Sequence, residues 1–486
     1  MRLEELVAGV AGARILGDGA VEVGSLAYDS RRAGPGTLFF CVPGEKADGH
    51  EFAGAAVEAG ATALVVERQL VELAVTQVVV PDARAAMAPV AARFAGDPTA
   101  ELDVVGITGT NGKTTTAFLI REILEAAGTR CGLLGTVKQV VGGLEEEVVR
   151  TTPEAIELQA TFRRMLAGGD RACAMEVSSH ALVLHRCDAI RFRVALFTNL
   201  TQDHLDFHAD MEDYFRSKRL LFETAPVAAI VNLDDEYGRR LAGEIECVTF
   251  SAEGREADFA AGEVSLDPKG AELAVAVGGN RVRVRTRLPG HFNVANALGA
   301  FAAAVALGVS PEAAAAGLAS ASPPPGRFEP IDEGQPFTVL VDYAHTPDSL
   351  ENVLRAARRL GEGRVLSVFG AGGDRDRGKR PQMGRAGAEL SDLAIVTSDN
   401  PRSEEPGTIV AEVLAGAGGG ERVEAEVDRR AAIALALSRA RPGDTVVIAG
   451  KGHEQGQEFA DGRKVPFDDR EVAREELRKL AGAEPA

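Results

Sequence analysis

Cysteine is sparse and unpatterned in this sequence: Cys41, Cys131, Cys173, Cys187 and Cys247 are scattered, odd in number and without a CxxC pair. That excludes a disulfide framework and predicts reduced thiols in a cytoplasmic protein. No apolar run is long enough for a bilayer. The most hydrophobic helix candidate, around 297–309, falls short of the roughly 20 residues a span needs and reads as a buried core helix. The start, MRLEELVAGVAGARILG, sets two glutamates before a short apolar run and lacks the basic opening of a secretory signal. Positive charge is also short. With 53 Lys and Arg against 72 Asp and Glu, the net charge of −19 argues against nucleic acid or an anionic membrane surface as partner. Local arginines can still reverse the field around a small anionic substrate.

What is present is an ordinary globular composition, 45% apolar and 26% charged, over 486 residues. One core does not grow that large, so roughly two to four domains are expected. The stretch Val104 to Thr116, VVGITGTNGKTTT, organises the rest. An apolar run from Leu102 to Ile107 predicts a buried strand, Gly109, Thr110, Asn111 and Gly112 a loop, and Lys113, Thr114 and Thr115 the start of a helix over 114–127. That helix sets Ile120, Ile123, Leu124 and Ala127 on one face, and Gly128 follows as a left-handed terminator. Loop amides and the free donors of the first turn converge where a phosphate would sit. Lys113 would neutralise outer phosphates and the Thr114 hydroxyl would hold Mg2+. The spacing is imperfect, because Ile107 stands where a glycine is usual, with Gly106 one place early. The alternative is a plain strand-to-helix turn.

Around this loop the chain predicts an α/β protein of three domains. Residues 1–98 carry short strands (37–42, 62–66) and a helix (50–59), and Gly96-Asp97-Pro98 marks a linker. Residues 99–322 alternate strands and helices, which predicts a mostly parallel central sheet with a P-loop-like ATP site. After Pro323-Pro324-Pro325, residues 323–486 repeat strand-then-glycine at VLSVFGAGG, LAIVTSDNP and TVVIAGKGHE, predicting a doubly wound, Rossmann-like sheet. Its Gly370, Gly372 and Gly373 approach a dinucleotide fingerprint, but Arg375 stands at the last glycine position and argues against NAD.

Several polar groups close predicted strands, where open parallel sheets deliver chemistry. Glu176 can hold Mg2+ bridging phosphate oxygens, or be a salt-bridged strand end. His204 and His208 are four apart and would share a helix face, which raises zinc, but Leu205 stands where the hydrolase motif needs glutamate. A magnesium role for His204 and a packing or surface role for His208 are preferred. Lys218 reads as a solvated helix lysine. Asp342 ends a strand at 339–341, where a carboxylate can hold ribose hydroxyls. Loops at 373–376, 399–402 and 450–454 offer arginines with acidic partners, suited to an amino acid's carboxylate and ammonium.

The string GITGTNGKTTT resembles the ATP loop of the Mur ligases, cytoplasmic enzymes that add amino acids to the peptidoglycan precursor, and further matches run across nearly the whole chain. They look most like the member that adds the third residue, meso-diaminopimelate. The resemblance implies that residues 1–98 hold the uridine nucleotide of the precursor through Tyr28, Ser30, Glu45, Lys46 and Ala47. It implies that Thr151, Thr152, Ser178 and Arg186 also contact the precursor. Two departures stand out: Leu184 replaces a glutamine, and Arg150 replaces a frequent asparagine. ATP is implied at residues 109–115 with Asn296, Arg327 and Asp342, and Mg2+ at Thr114, Glu176, His204 and a Lys218 carbamylated by CO2. Diaminopimelate is implied at Arg375, Asp399, Asn400, Pro401, Arg402, Gly450 and Glu454. The implied reaction phosphorylates the γ-carboxylate of D-glutamate in UDP-N-acetylmuramoyl-L-alanyl-D-glutamate, after which the diamino acid attacks the acyl phosphate. A monomer is expected. A folylpolyglutamate synthase-like ligase and a non-enzymatic ATP-binding protein are the alternatives.

Overall fold

Short aliphatic and β-branched runs become strands buried on both faces, as parallel sheets flanked by helices require. A computed structural model describes residues 1–44, 47–148, 150–205, 207–420 and 422–483. The chain divides into two units, one of Met1–Gly109, Gly128–Phe197 and Asp206–Ala229, the other of Thr110–Ala127, Thr198–Leu205 and Ile230–Ala486.

In the first unit an N-terminal sheet runs Arg14–Leu16, Thr76–Val79, Ala63–Val66, Thr37–Phe40, Ser25–Ala27 in space. Only the first pair is antiparallel. Alternate residues serve two cores: Leu38, Phe40, Ala63 and Val65 pack with Leu3, Leu6 and Met87, while Phe39, Cys41, Leu64 and Val66 pack with Ala53 and Ala56. The helix predicted at 50–59 opens as a 3-10 turn, Gly49–Phe52, because the Asp48 side chain accepts from His50 N, and continues as an α-helix over Ala53–Glu58. The same unit holds four parallel strands in the order Phe192–Phe197, Asp103–Thr108, Ala172–Glu176, Cys131–Leu134. An antiparallel hairpin, Gln139–Val141 and Leu144–Glu146, extends them.

In the second unit the strand ending at Asn232 pairs parallel with Val248–Ser251. Phe259–Asp267, Gly270–Val277 and Asn280–Thr286 then form an antiparallel meander that the parallel reading of this region did not foresee. Helix Lys113–Ala126 buries Ile120, Ile123 and Leu124 as expected, whereas Ala127 lies past its last turn and is exposed. Helix His291–Ala306 is buried nearly all round, and no helix among the described residues is long and apolar enough to cross a membrane. The C-terminal sheet runs Glu329–Pro330, Thr338–Asp342, Thr445–Ala449, Val365–Phe369, Leu393–Val396, Val423–Ala425. All but its first pair are parallel, and hydrophobic clusters cover both faces. The α/β class and the doubly wound C-terminal sheet stand as predicted.

Candidate functional site

In the first unit the strand ends gather Glu176, Thr151, Thr152, Ser178 and Arg186. Glu176 closes its strand and is buried. Its carboxylate accepts from Thr136 N at 2.7 Å and Thr136 Oγ1 at 3.2 Å, and Thr136 Oγ1 lies 3.1 Å from Thr151 Oγ1. Thr152 Oγ1 donates to the Glu176 carbonyl at 2.9 Å and accepts from Ser178 N at 3.2 Å. Arg186 Nη1 donates to the Thr152 carbonyl at 3.0 Å. Ser178 also caps the short helix Ser179–Val183, which ends at the departing Leu184. Thr136 was missed from sequence; its one signal was a Gly-Thr pair directly after a strand.

Lys218 corrects an expectation. It is not solvated but 1% exposed, with Nζ donating to the Gly109 carbonyl at 2.9 Å and lying 4.6 Å from the Tyr214 ring centroid. The charges around it hid the period: Tyr214, Lys218, Leu221 and Phe222 share the buried stripe of helix Met211–Glu223. His208 is a packing residue, buried, 2.9 Å from Ser179 Oγ and stacked on Tyr214. Neither it nor His204 lies in a helix, so the shared-face reading fails; His204 takes a left-handed φ of 54° beside Asp203. No group of three or more His, Cys, Asp or Glu among the described residues could by itself hold a metal ion.

Of the residues expected to face the nucleotide, Tyr28 is half-buried, and burial followed by Glu157 pushes its phenol above the ordinary value. Ser30 opens a 3-10 turn capped by Asp29, and the Ala47 carbonyl accepts from Gly44 N. Glu45 and Lys46 lie outside the described residues.

In the second unit, loop 110–112 is laced to loop 198–201. Thr110 N donates to the Asn199 carbonyl and Asn111 N to Asn199 Oδ1, each at 2.9 Å, while Thr198 Oγ1 donates to the Asn111 carbonyl at 2.7 Å. Asp348 accepts from Thr201 Oγ1 at 2.8 Å and Asn111 Nδ2 at 3.3 Å. Lys113 Nζ folds back onto the Thr110 carbonyl at 2.8 Å, and Thr114 and Thr115 begin the helix as buried residues. Gly112 precedes that helix at φ 87°, where a Cβ would meet Asn296 Oδ1 at 2.3 Å. Asn296 thus packs directly on the loop. Gly106, by contrast, is a packing glycine whose missing Cβ makes room for Phe192. Asn199, Thr201 and Asp348 escaped sequence reasoning because nothing local marks an amide or hydroxyl as a partner for a distant loop.

Asp342 accepts from Phe328 N and Ala344 N, both at 2.7 Å, yet burial wins over these bonds and pushes its carboxyl up to about 6. Arg327 lies over the Tyr343 ring at 4.6 Å, and burial followed by Arg327 holds His453 down to about 3.

The three C-terminal loops form one charged network. Asn400 is fixed at both ends of its amide: Nδ2 donates to Glu454 at 2.8 Å, and Oδ1 accepts from Lys451 Nζ at 2.8 Å and Glu458 N at 3.0 Å. Lys451 is fully buried, also bonds Glu454 at 2.9 Å, and lies 3.8 Å from Asp399. Arg402, at φ 52°, donates through Nη1 to the Gly373 carbonyl at 2.7 Å and through Nε to Glu458 at 3.2 Å. Gly373 is pressed against the Pro401 carbonyl, which a Cβ would approach to 1.9 Å, so these glycines serve loop packing rather than a dinucleotide fingerprint. Gly450 lies against the Asp399 carboxylate. Arg375 is exposed and, among the described residues, hydrogen-bonds the Asp374 carbonyl alone. Lys451 and Glu458 were not singled out from sequence; each reads there as an ordinary loop or strand charge.

Comparison with known proteins matches three successive segments to family profiles: Mur ligase family, catalytic domain, at residues 22–95; Mur ligase middle domain at 107–304; and Mur ligase, glutamate ligase domain at 326–452. A protein of Streptomyces coelicolor named UDP-N-acetylmuramoyl-L-alanyl-D-glutamate–2,6-diaminopimelate ligase is 48% identical over 479 residues, covering 96% of this chain and 94% of its own. A protein of that name from Clostridium tetani is 42% identical, covering 99% and 100%. A solved structure of that name is similar with a TM-score of 0.72 at 31% identity, covering 99% of both chains.

Proposed function

The chain belongs to the Mur ligase family, and from that premise we propose that it joins meso-diaminopimelate to the γ-carboxylate of D-glutamate in UDP-N-acetylmuramoyl-L-alanyl-D-glutamate, at the expense of ATP. This is a cytoplasmic step of peptidoglycan precursor synthesis. Residues 1–98 take the uridine nucleotide, 99–322 the ATP, and 323–486 the amino acid. The observation that carries the reading is the loop network of Asp399, Asn400, Arg402, Lys451 and Glu454. It fixes cationic and anionic groups on adjoining strand ends, as a ligand with two amino-carboxylate centres demands.

A carboxylate is a poor electrophile, and phosphorylation gives it a leaving group. Loop amides 109–112 and Lys113 bind and stabilise the transferring phosphoryl charge. Mg2+ takes oxygen ligands, keeps several waters and is held by one or two protein groups plus phosphates. Thr114 and Glu176 each carry an oxygen of the kind Mg2+ takes, and the family resemblance adds His204 and a carbamylated Lys218 as candidate ligands. Magnesium bound there would neutralise phosphate charge.

The test is phosphate release with the UDP-dipeptide, ATP and a panel of amino acids. Release that depends on both the UDP-dipeptide and diaminopimelate is expected. Release with a folate and glutamate instead, or ATP binding without amine-dependent release, would overturn the proposal.

A further inference from the structure

The departing Arg150 belongs to a cluster that the proposed reaction has not used. Three guanidinium groups converge on the one carboxylate of Glu154, which stands at the N-terminal boundary of helix Ala155–Ala167 and is 5% exposed. Arg186 Nη2 reaches Glu154 at 2.9 Å, Arg150 Nη1 at 3.1 Å and Arg84 Nη1 at 3.4 Å. Arg84 stands in the first turn of helix Ala83–Phe94 in the N-terminal sheet's layer, and Arg150 precedes Thr151. No other carboxylate among the described residues pairs with these three arginines. The imbalance is visible at Arg186: burial holds its guanidinium below the ordinary value, Arg150 and Arg84 push the same way, and Glu154 alone among the carboxylates opposes them. Tyr28 lies within the field of Arg150, Glu154 and Glu157, so the cluster borders the residue assigned to the nucleotide on one side and Thr152 on the other.

Like charges are gathered in a partly buried place only where an anion offsets them. One carboxylate cannot satisfy three planar forks whose donors suit oxyanions. We propose that Arg84 and Arg150, held in place by Glu154 beside Arg186, are substrate-binding residues that take an oxyanion of the UDP-dipeptide. Both its diphosphate and its non-reacting carboxylate have the required chemistry. This deepens the proposed function and rests on it for the identity of the ligand.

Calorimetric Kd values for the UDP-dipeptide, for uridine diphosphate and for uridine would be measured on wild type, Arg84→Gln, Arg150→Gln and the double variant. Steady-state KM values would be measured alongside. Each single variant is expected to weaken UDP-dipeptide binding about 10-fold or more, leaving KM for ATP and diaminopimelate within about twofold. If uridine diphosphate weakens in parallel while uridine does not, the diphosphate occupies the cluster. If only the UDP-dipeptide weakens, the carboxylate does. An unchanged Kd for the UDP-dipeptide in the folded double variant overturns the proposal. Wild-type binding without turnover would refute the ligase reading while leaving this one standing, and absence of wild-type binding would refute both. Arg150→Lys, which keeps the charge but loses the fork, should recover part of the affinity; a purely structural role would show instead as a lowered melting temperature with Kd intact.

Discussion

Replacing Arg402 by alanine separates recognition of diaminopimelate from recognition of any amino acid. Lysine shares the side chain of diaminopimelate except for the second carboxylate, so a selective site must contact that group. Arg402 has two of its donors committed, Nη1 to the Gly373 carbonyl and Nε to Glu458, while its Nη2 has no protein partner among the described residues. The guanidinium is therefore oriented in advance with a donor to spare. A charge-assisted hydrogen bond contributes roughly 1.5 to 3 kcal/mol, so Arg402→Ala should lower kcat/KM for diaminopimelate by about 10- to 150-fold. Losing the bond to the Gly373 carbonyl costs a further ~0.5 to 1.5 kcal/mol, but in stability of the loop pair. Alanine inherits the left-handed backbone at φ 52°, so neither residue gains there. Phosphate release would be followed against diaminopimelate and lysine for both enzymes. The preference should narrow, chiefly through a slower diaminopimelate reaction. If Arg402→Ala lowers both rates equally, or if wild type uses lysine as well as diaminopimelate, the specificity argument is wrong even if the ligase survives.

Other outcomes follow from the same geometry. Lys113→Ala should abolish phosphate release with the melting temperature nearly unchanged, since Lys113 bonds a loop carbonyl and supports no core; comparable turnover would sink the phosphate-loop assignment. Lys218→Ala should be nearly inactive and partly rescued by a short carboxylic acid, and intact mass of active enzyme supplied with bicarbonate should show the CO2 adduct; a free amine in such enzyme would defeat the carbamate. Asp342 makes a pH prediction. Burial raises its folded pKa from 3.8 to about 6, so the folded state binds the proton more tightly and this group's contribution to stability is fully present below pH ~4 and lost as pH rises through ~6. The shift corresponds to about 3 kcal/mol, so the stability of Asp342→Asn relative to wild type should rise by that order between pH 4 and pH 7. Guanidinium denaturation at several pH values measures it, and a flat difference would contradict the burial argument.

Much of the fold was readable because its signals are local. Strand then glycine loop then amphipathic helix at 103–126 needs only short-range pattern, and so do the strand-then-glycine repeats of the C-terminal sheet. The meander at 259–286 was not read, because its alternating arginines and valines have the period of a half-exposed antiparallel strand rather than of a buried parallel one. Ala127 was misplaced by extending a helix one residue beyond its last hydrogen-bonded turn, where boundaries are least determined. His204 and His208 were given a helical spacing that the left-handed backbone at His204 denies. Lys218 was the most instructive error: a lysine among Arg216, Arg219 and acidic neighbours looks solvated by composition, whereas the apolar stripe of its own helix places it inside.

Four cations that composition would place in solvent share a physical role, which explains both their concealment and their placement. Lys218, Arg380, Arg429 and Lys451 are buried cations in a chain of net charge −19. At the C-terminal ends of parallel strands the ladder stops, and carbonyls of the last strand residue and the following loop need other donors while remaining inside. Lys218 donates to the carbonyl of Gly109, Arg380 to that of Gly372, and Arg429 to those of Ser398 and Ala449. Lys451 does the same for the side-chain oxygen of Asn400. A buried cation is tolerated where such acceptors and a carboxylate surround it, as Asp469 does for Arg429 at 2.7 Å. A backbone amide must lie beside the carbonyl it serves, whereas a lysine or arginine side chain reaches such a carbonyl from several ångströms away. The loops on which the proposed substrates depend are thus held by long cationic side chains whose partners lie 8 to 109 residues away in the chain. Composition counts such residues as surface charge, and only the tertiary arrangement shows that they set the shape of the site.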